Sequence, residues 1–108
     1  MALVMKQLAQ GQLPDSTGDL YTAPEGKSAL LKTVTVVNTH TATETVNLYV
    51  KPAGGSARRL IPKDLQLKAG YLLVVDDELT LEAGDKLQGA ATTASKLDYT
   101  VSGVEDAS

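Results

Sequence analysis

Apolar and polar residues alternate along two long segments of this chain, residues 42–52 and 96–104, and this pattern strongly limits the fold. A period of two places successive side chains on opposite faces of a β-strand, so that one face of each segment can line a core. No window of twelve residues carries apolar groups at helical spacing without a glycine, a proline or a β-branched residue. The residues that we expect in the core are Val46, Leu48, Val50, Leu97, Tyr99 and Val101.

Other apolar or mixed segments, separated by Gly, Pro and Asp clusters, predict six further strands. These are residues 3–8, 20–23, 28–38, 58–61, 71–75 and 86–91. With 108 residues the chain can form one hydrophobic core. The prediction is therefore an all-β, single-domain antiparallel β-sandwich of about eight strands. We expect an N-terminal arm at residues 1–12 and the sandwich domain at residues 13–108.

Residues 67–70 and 81–84 carry the same Leu-x-Ala-Gly pattern, fourteen residues apart. The glycine at each end is expected to take a positive φ just before a strand begins.

Composition excludes several classes of function. The chain has no Cys and a single His, so thiolate chemistry and a multi-histidine metal centre are both excluded. A net charge of −3 argues against nucleic-acid binding, which needs a basic surface to displace counterions. No segment has the length of apolar sequence that a membrane span needs. We therefore expect a soluble, non-enzymatic chain with no cofactor, no metal and no catalytic residue.

Three polar or small segments are candidate sites. Asp76, Asp77 and Glu78, with Asp85, could offer oxygens to calcium, but they lack the order of a calcium-binding loop, and a charged turn is favoured. His40 lies in a polar link with no nucleophile pattern nearby, which favours an exposed loop histidine. Residues 89–95 could allow another backbone to approach closely or could form a simple loop.

Two features predict contacts with a partner. Leu3, Val4, Met5 and Leu8 form an apolar N-terminal group that a single domain would bury with difficulty at its own terminus. Arg58 and Arg59 are the main basic concentration; on a strand they point to opposite faces. One of them could bind a partner's carboxylate, and equally they could protect an edge strand from pairing.

Four stretches between Leu20 and Glu105 resemble small virion proteins of tailed bacteriophages: LYTAPEGKSALLKTVTVVNT, VNLYVKP, RRLIPKDLQLKAG and LTLEAGDKLQGAATTASKLDYTVSGVE. The resemblance implies a jelly-roll-like sandwich and a structural role in the virion, after synthesis in the host cytoplasm. It implies a capsid decoration or head-fibre-base subunit whose partners are the major capsid protein or other virion proteins. The alternative is a tail-tip or baseplate module that attaches to the host surface.

Self-association is expected on separate grounds. Residues 28–38 and 71–75 carry apolar side chains on both strand faces, whereas a two-layer sandwich buries only one face of each strand. A loop, the N-terminal segment or a neighbouring subunit must therefore cover part of this surface, and contact between subunits is the simplest explanation. Closed symmetry is the default for such assemblies, and the phage resemblance implies that the homo-oligomer is a trimer.

Overall fold

A computed structural model describes residues 3–76 and 78–106, and for residues 3–6 the backbone alone. The described residues form ten β-strands and no helix, so no helix among them could cross a membrane. In chain order the strands are β1 (Leu3–Gln12), β2 (Gly18–Thr22), β3 (Ala29–Asn38), β4 (Glu44–Lys51), β5 (Arg58–Arg59), β6 (Leu65–Leu67), β7 (Leu72–Val75), β8 (Leu79–Leu81), β9 (Lys86–Ala91) and β10 (Leu97–Asp106).

The strands form two five-stranded antiparallel sheets. The first sheet has the order β1-β10-β3-β7, with β8 also paired to β3; the second has the order β2-β9-β4-β5, with β6 also paired to β4. β7 and β8 lie along different parts of β3, and β5 and β6 lie along different parts of β4. Each short pair therefore occupies one strand position, which leaves eight positions, four in each sheet.

This arrangement is a jelly roll. The chain crosses repeatedly between two sheets of four strand positions, and strands from the two ends of the chain are neighbours, β1 beside β10 and β2 beside β9. The predicted all-β sandwich of about eight strands is confirmed. Two of the ten strands, β6 and β8, are absent from the sequence prediction. Each has only three residues, which is too short for an alternation of period two to be recognised.

The two long alternating segments line the core as predicted. Val46, Leu48, Leu97 and Val101 are fully buried, and Tyr99 is buried with its hydroxyl directed to the carbonyl oxygen of Leu20 at 3.3 Å. Val50 is half-buried and packs against the same core. The remaining large buried aliphatic side chains come from both sheets and the turns between them: Leu13, Leu20, Leu31, Val34, Val36, Ile61, Leu67, Leu81 and Leu87.

The two predicted Leu-x-Ala-Gly turns have the expected backbone. Gly70 has a φ of 79° and Gly84 a φ of 85°. Gly70 precedes β7 and Gly84 precedes β9, so each positive φ lies where the chain turns into a strand. The left-handed region is costly for residues with a Cβ, which explains the glycine in both copies.

Residues 89–95 divide between a strand and a turn. Gly89, Ala90 and Ala91 belong to β9, an interior strand, and the turn follows them. A Cβ at Gly89 would lie 2.9 Å from Leu20 Cδ1 and 3.1 Å from the carbonyl oxygen of Asn47. The close approach made possible by this glycine is therefore an internal packing contact.

The N-terminal segment is a full strand. β1 pairs with β10 along its length, with a register shift between Gln7 and Ala9. Leu8 lies at this shift and packs, half-buried, against the core.

We predict that Leu48→Ala lowers the free energy of unfolding by about 2–5 kcal/mol, because it leaves a cavity in a fully buried layer. Leu72→Ala is the matched control, since 58% of the Leu72 surface is already exposed. Urea denaturation in dilute solution measures both variants. Equal effects of the two substitutions would remove Leu48 from the core.

Candidate interaction surface

The most exposed large apolar side chains of the described residues lie at one edge of the first sheet. Tyr71 is 61% exposed, Leu72 58% and Val74 48%. We call these three residues the β7 patch. The other two β7 residues, Leu73 and Val75, face inward and pack half-buried against the core. The sequence correctly indicated that this strand is apolar on both faces, and the structure leaves the outer face uncovered.

The apolar surface of the β7 patch extends from β7 to the neighbouring strand β3 and no further across the sheet. Val37 of β3, half-exposed, lies opposite Leu72, and Thr35 lies opposite Val74. On the far side of β3, Val37 and Thr35 pair with Asp98 and Thr100 of β10, both exposed. The outer face of the first sheet therefore changes from apolar at β7 to polar at β10.

A second apolar area lies at the other end of this face. Leu30, Thr80 and Val104, with Ser28 and Ala29, line an open hollow of about 150 Å³. Leu30 and Val104 are opposite each other in the β3–β10 register. Strict alternation predicts Leu30 on the same face as Val34 and Val36, and that prediction is wrong. A register shift where β3 pairs with Ser102 and Gly103 changes the phase. Leu31 is therefore buried with Val34 and Val36, and Leu30 lines the hollow.

Arg58 and Arg59, the two arginines predicted to contact a partner, form β5 at the edge of the second sheet, and both are exposed. Arg59 is held in place: its guanidinium carbon lies 5.0 Å from the centre of the Tyr49 ring, and its Nη1 donates to Asn47 Oδ1 at 2.6 Å. Asn47 in turn binds Asp64 through its amide nitrogen at 3.0 Å. Arg58 precedes Arg59 in β5 and pairs with Val50 in the register. The side chains of the two arginines therefore point to opposite faces of the sheet.

The structure does not bring the predicted partner residues together. β1, which contains Leu3, Val4, Met5 and Leu8, is at one edge of the first sheet, beside β2. β5, which contains Arg58 and Arg59, is at the opposite edge of the second sheet from β2. The two groups therefore lie on opposite edges of the sandwich.

Beside the loop that contains His40 lies a buried carboxylate that the sequence did not predict, that of Glu44 at the start of β4. Glu44 is only 2% exposed; its Oε1 accepts from the backbone N–H of Thr93 at 2.8 Å, and its Oε2 lies 3.1 Å from His40 Nδ1. Burial would raise the pKa of Glu44, but the hydrogen bonds from Thr93 and His40 outweigh it and hold the pKa below its usual value. His40 is partly buried against this carboxylate, which corrects the expectation of a simple exposed loop histidine.

Asn38 completes this corner. Its side-chain nitrogen donates to the carbonyl oxygens of Ala42 and Leu67, both at 2.9 Å, and its Oδ1 accepts from the His40 N–H at 2.8 Å. Every side-chain hydrogen-bonding atom of Asn38 is thus used within the fold. The alternation of period two could have indicated both residues, because Glu44 is two positions before the buried Val46 and Asn38 two positions after the buried Val36. The partners that hold them lie far apart in the sequence and are not specified by that alternation.

The acidic segment considered for calcium lies partly outside the described residues, which omit Asp77. Asp76 and Glu78 are exposed, and Glu78 pairs with Lys32 at 3.1 Å. Asp85 is occupied elsewhere, accepting from the backbone N–H groups of Ala53 and Glu82. In residues 3–76 and 78–106, no three His, Asp or Glu side chains converge as metal ligands.

No protein-family model and no curated protein matches this chain. Among solved structures, it is similar to a chain of the infectious bursal disease virus Gx strain, at 14% identity and a TM-score of 0.54. That similarity covers 96% of this chain and 32% of the other, so the chain spans about a third of the length of its structural neighbour. A chain of the Gt strain has 11% identity and a TM-score of 0.47, covering 96% of this chain and 30% of the other. The Gx similarity shows a shared fold.

We predict that Glu44→Gln lowers the free energy of unfolding at neutral pH by about 1–3 kcal/mol, because it weakens buried hydrogen bonds. The pKa of Glu44 is lower in the folded chain than in the unfolded one. Its ionised carboxylate therefore stabilises the fold above the unfolded pKa, and this contribution is lost as the pH falls through the folded pKa.

Urea denaturation at neutral pH and at steps below the ordinary glutamate range measures this effect. The difference between wild type and Glu44→Gln should shrink as the pH falls. Glu82→Gln, on an exposed turn, is the control and should leave stability nearly unchanged. A wild-type to Glu44→Gln difference that stays constant across the range would contradict the assignment.

Proposed function

We propose that this chain is a non-enzymatic virion structural protein of a tailed bacteriophage, a capsid decoration or head-fibre-base subunit that binds and stabilises the head surface. The observation that carries the proposal is the β7 patch on a complete jelly roll. An apolar patch on the surface of a small domain marks a protein contact, and this one lies on the rigid framework of a sheet. Copies of the chain would meet one another and other virion proteins, the major capsid protein among them.

Two further observations support this role. The sequence resemblance to small phage virion proteins extends from Leu20 to Glu105, which includes nine of the ten strands in whole or in part. The fold is shared with part of a chain in a virus structure. Fold alone does not assign a function, so the proposal takes its direction from the surface and from the resemblance together.

We propose that the contacts with the particle use the residues identified in the sequence. The edge strand β1 contains Leu3, Val4 and Met5. It also contains Leu8, whose side chain is partly exposed. Arg58 is the better placed of the two arginines, because Arg59 is already engaged by Tyr49 and Asn47. An arginine suits a carboxylate on the partner, since its planar fork can form two parallel hydrogen bonds.

The alternative is a tail-tip or baseplate module that attaches to the host surface. The exposed ring of Tyr71 favours it, because sugar-binding surfaces commonly use an aromatic face. The ring of Tyr49 is less suitable, since Arg59 already lies over it.

Sedimentation with particles separates the two roles. We expect the purified chain to sediment with genome-filled, tailless heads of the phage that encodes it and not with isolated tails. Binding to tails alone would support the alternative, and binding to neither would overturn both.

We also predict that Arg58→Glu weakens binding to heads by about tenfold or more, because it replaces attraction to a carboxylate by repulsion. Lys63→Glu, which makes the same charge change at another exposed residue, is the control. Equal binding by the wild type and Arg58→Glu would remove Arg58 from the contact.

A further inference from the structure

The β7 strand has an open backbone edge. Asn38 of β3 donates its N–H to the carbonyl oxygen of Tyr71 at 3.0 Å and accepts from the N–H of Gly70 at 3.1 Å, so both of its backbone groups face the β7 segment. Because these groups alternate in direction along a strand, those of Val36 and Val34 also face β7, opposite Leu73 and Val75. The amide and carbonyl groups of Leu72 and Val74 then point away from β3. No other strand of the described residues pairs with β7 there.

This edge lacks the usual protection against pairing. Natural edge strands carry charges, prolines or bulges that prevent a second strand from adding. β5 has two arginines, β2 has Asp19 bound to Lys86, and β1 has a register shift. Residues 71–75 contain no charge and no proline, and Leu72 and Val74 also expose their side chains. An edge of this kind is suited to pair with another strand.

We propose that two copies of this chain associate through antiparallel pairing of their β7 strands, about a two-fold axis at Leu73. In this register Leu72 of one copy lies opposite Val74 of the other, and this pair forms twice about the axis. The outward amide and carbonyl groups of both residues then all have partners. The four outward side chains of Leu72 and Val74 then form one apolar row along the outer face of a continuous sheet.

The charges beside β7 favour a second copy over an unrelated strand, and they favour the antiparallel direction. Lys68 lies in the turn before β7 and Asp76 follows its last residue; both are exposed. Antiparallel self-pairing brings the lysine end of each copy beside the acidic end of the other. A parallel arrangement would bring like charges together, which is unfavourable.

This contact is isologous and closes at two copies. The inference rests on the part of the proposed function in which copies of the chain assemble with one another. A three-fold assembly, as the phage resemblance implies, would use other surfaces. The hollow at Leu30 and Val104 lies at the other end of the same face and takes no part in this pairing.

Sedimentation equilibrium of the isolated chain, from micromolar to millimolar concentration, is the first test. We expect a monomer–dimer equilibrium for the wild type and a dissociation constant at least about tenfold higher for Val74→Lys, which places a charge in the paired edge. Thr100→Lys makes an equivalent change on an exposed position of β10, away from the edge, and should dimerise as the wild type does. Circular dichroism confirms that each variant is folded.

A disulfide tests the register. The chain has no cysteine, so Leu73→Cys introduces a single thiol, and across the proposed axis it faces its own copy in a non-hydrogen-bonded pair. Oxidation should give a covalent dimer with Leu73→Cys and none with Thr100→Cys. A wild type that stays monomeric, a Val74→Lys variant that dimerises equally well, or a Leu73→Cys variant that does not cross-link would overturn the inference. Head binding by Arg58→Glu tests the proposed particle role separately, because Arg58 lies in the other sheet and the variant leaves β7 unchanged.

Discussion

Asn38 connects the parts of the structure that position the candidate interaction surface. Its side chain binds Leu67, at the end of β6 in the second sheet, and its backbone binds Gly70 and Tyr71, where the chain enters the first sheet. The same side chain also holds the loop after β3 through Ala42 and His40. One buried amide thus fixes the crossing between sheets just before β7. Because a buried polar group without partners is costly, this crossing has little freedom to shift.

Other buried polar contacts secure the sandwich in the same way. Glu44 joins the loop after β3 to the turn before β10 through Thr93. The Tyr21 hydroxyl, in the second sheet, donates to the carboxylate of Glu105 in the first sheet at 2.6 Å. Burial, together with this carboxylate, raises the pKa of Tyr21. Among the described residues, no buried side-chain nitrogen or oxygen lacks a hydrogen-bond partner. The aliphatic layer supplies most of the burial, and these contacts define how the sheets are aligned.

The two outer faces of the sandwich differ in chemistry. On the second sheet, Asp19 binds Lys86 and Gln88, and Arg59 binds Asn47, so many polar groups there already have partners within the fold. On the first sheet, the exposed side chains of β7 itself are apolar and the edge beside them is open. A rigid sheet that ends in such an edge provides a surface for assembly. This contrast is the structural basis for our proposal that the chain takes part in assembly.

The sequence by itself determined the long strands, the inward faces of β4 and β10 and the two glycine turns, because alternation and positive φ are local properties of the backbone. It also indicated that β7 is apolar on both faces. The tertiary structure decided which of those faces stays exposed, that β5 with β6 and β7 with β8 share strand positions, and that Thr93 supplies a partner for the buried Glu44. It also placed Leu8 and Arg58 on opposite edges. These outcomes depend on pairing between residues far apart in sequence, and no local pattern of side chains specifies that pairing.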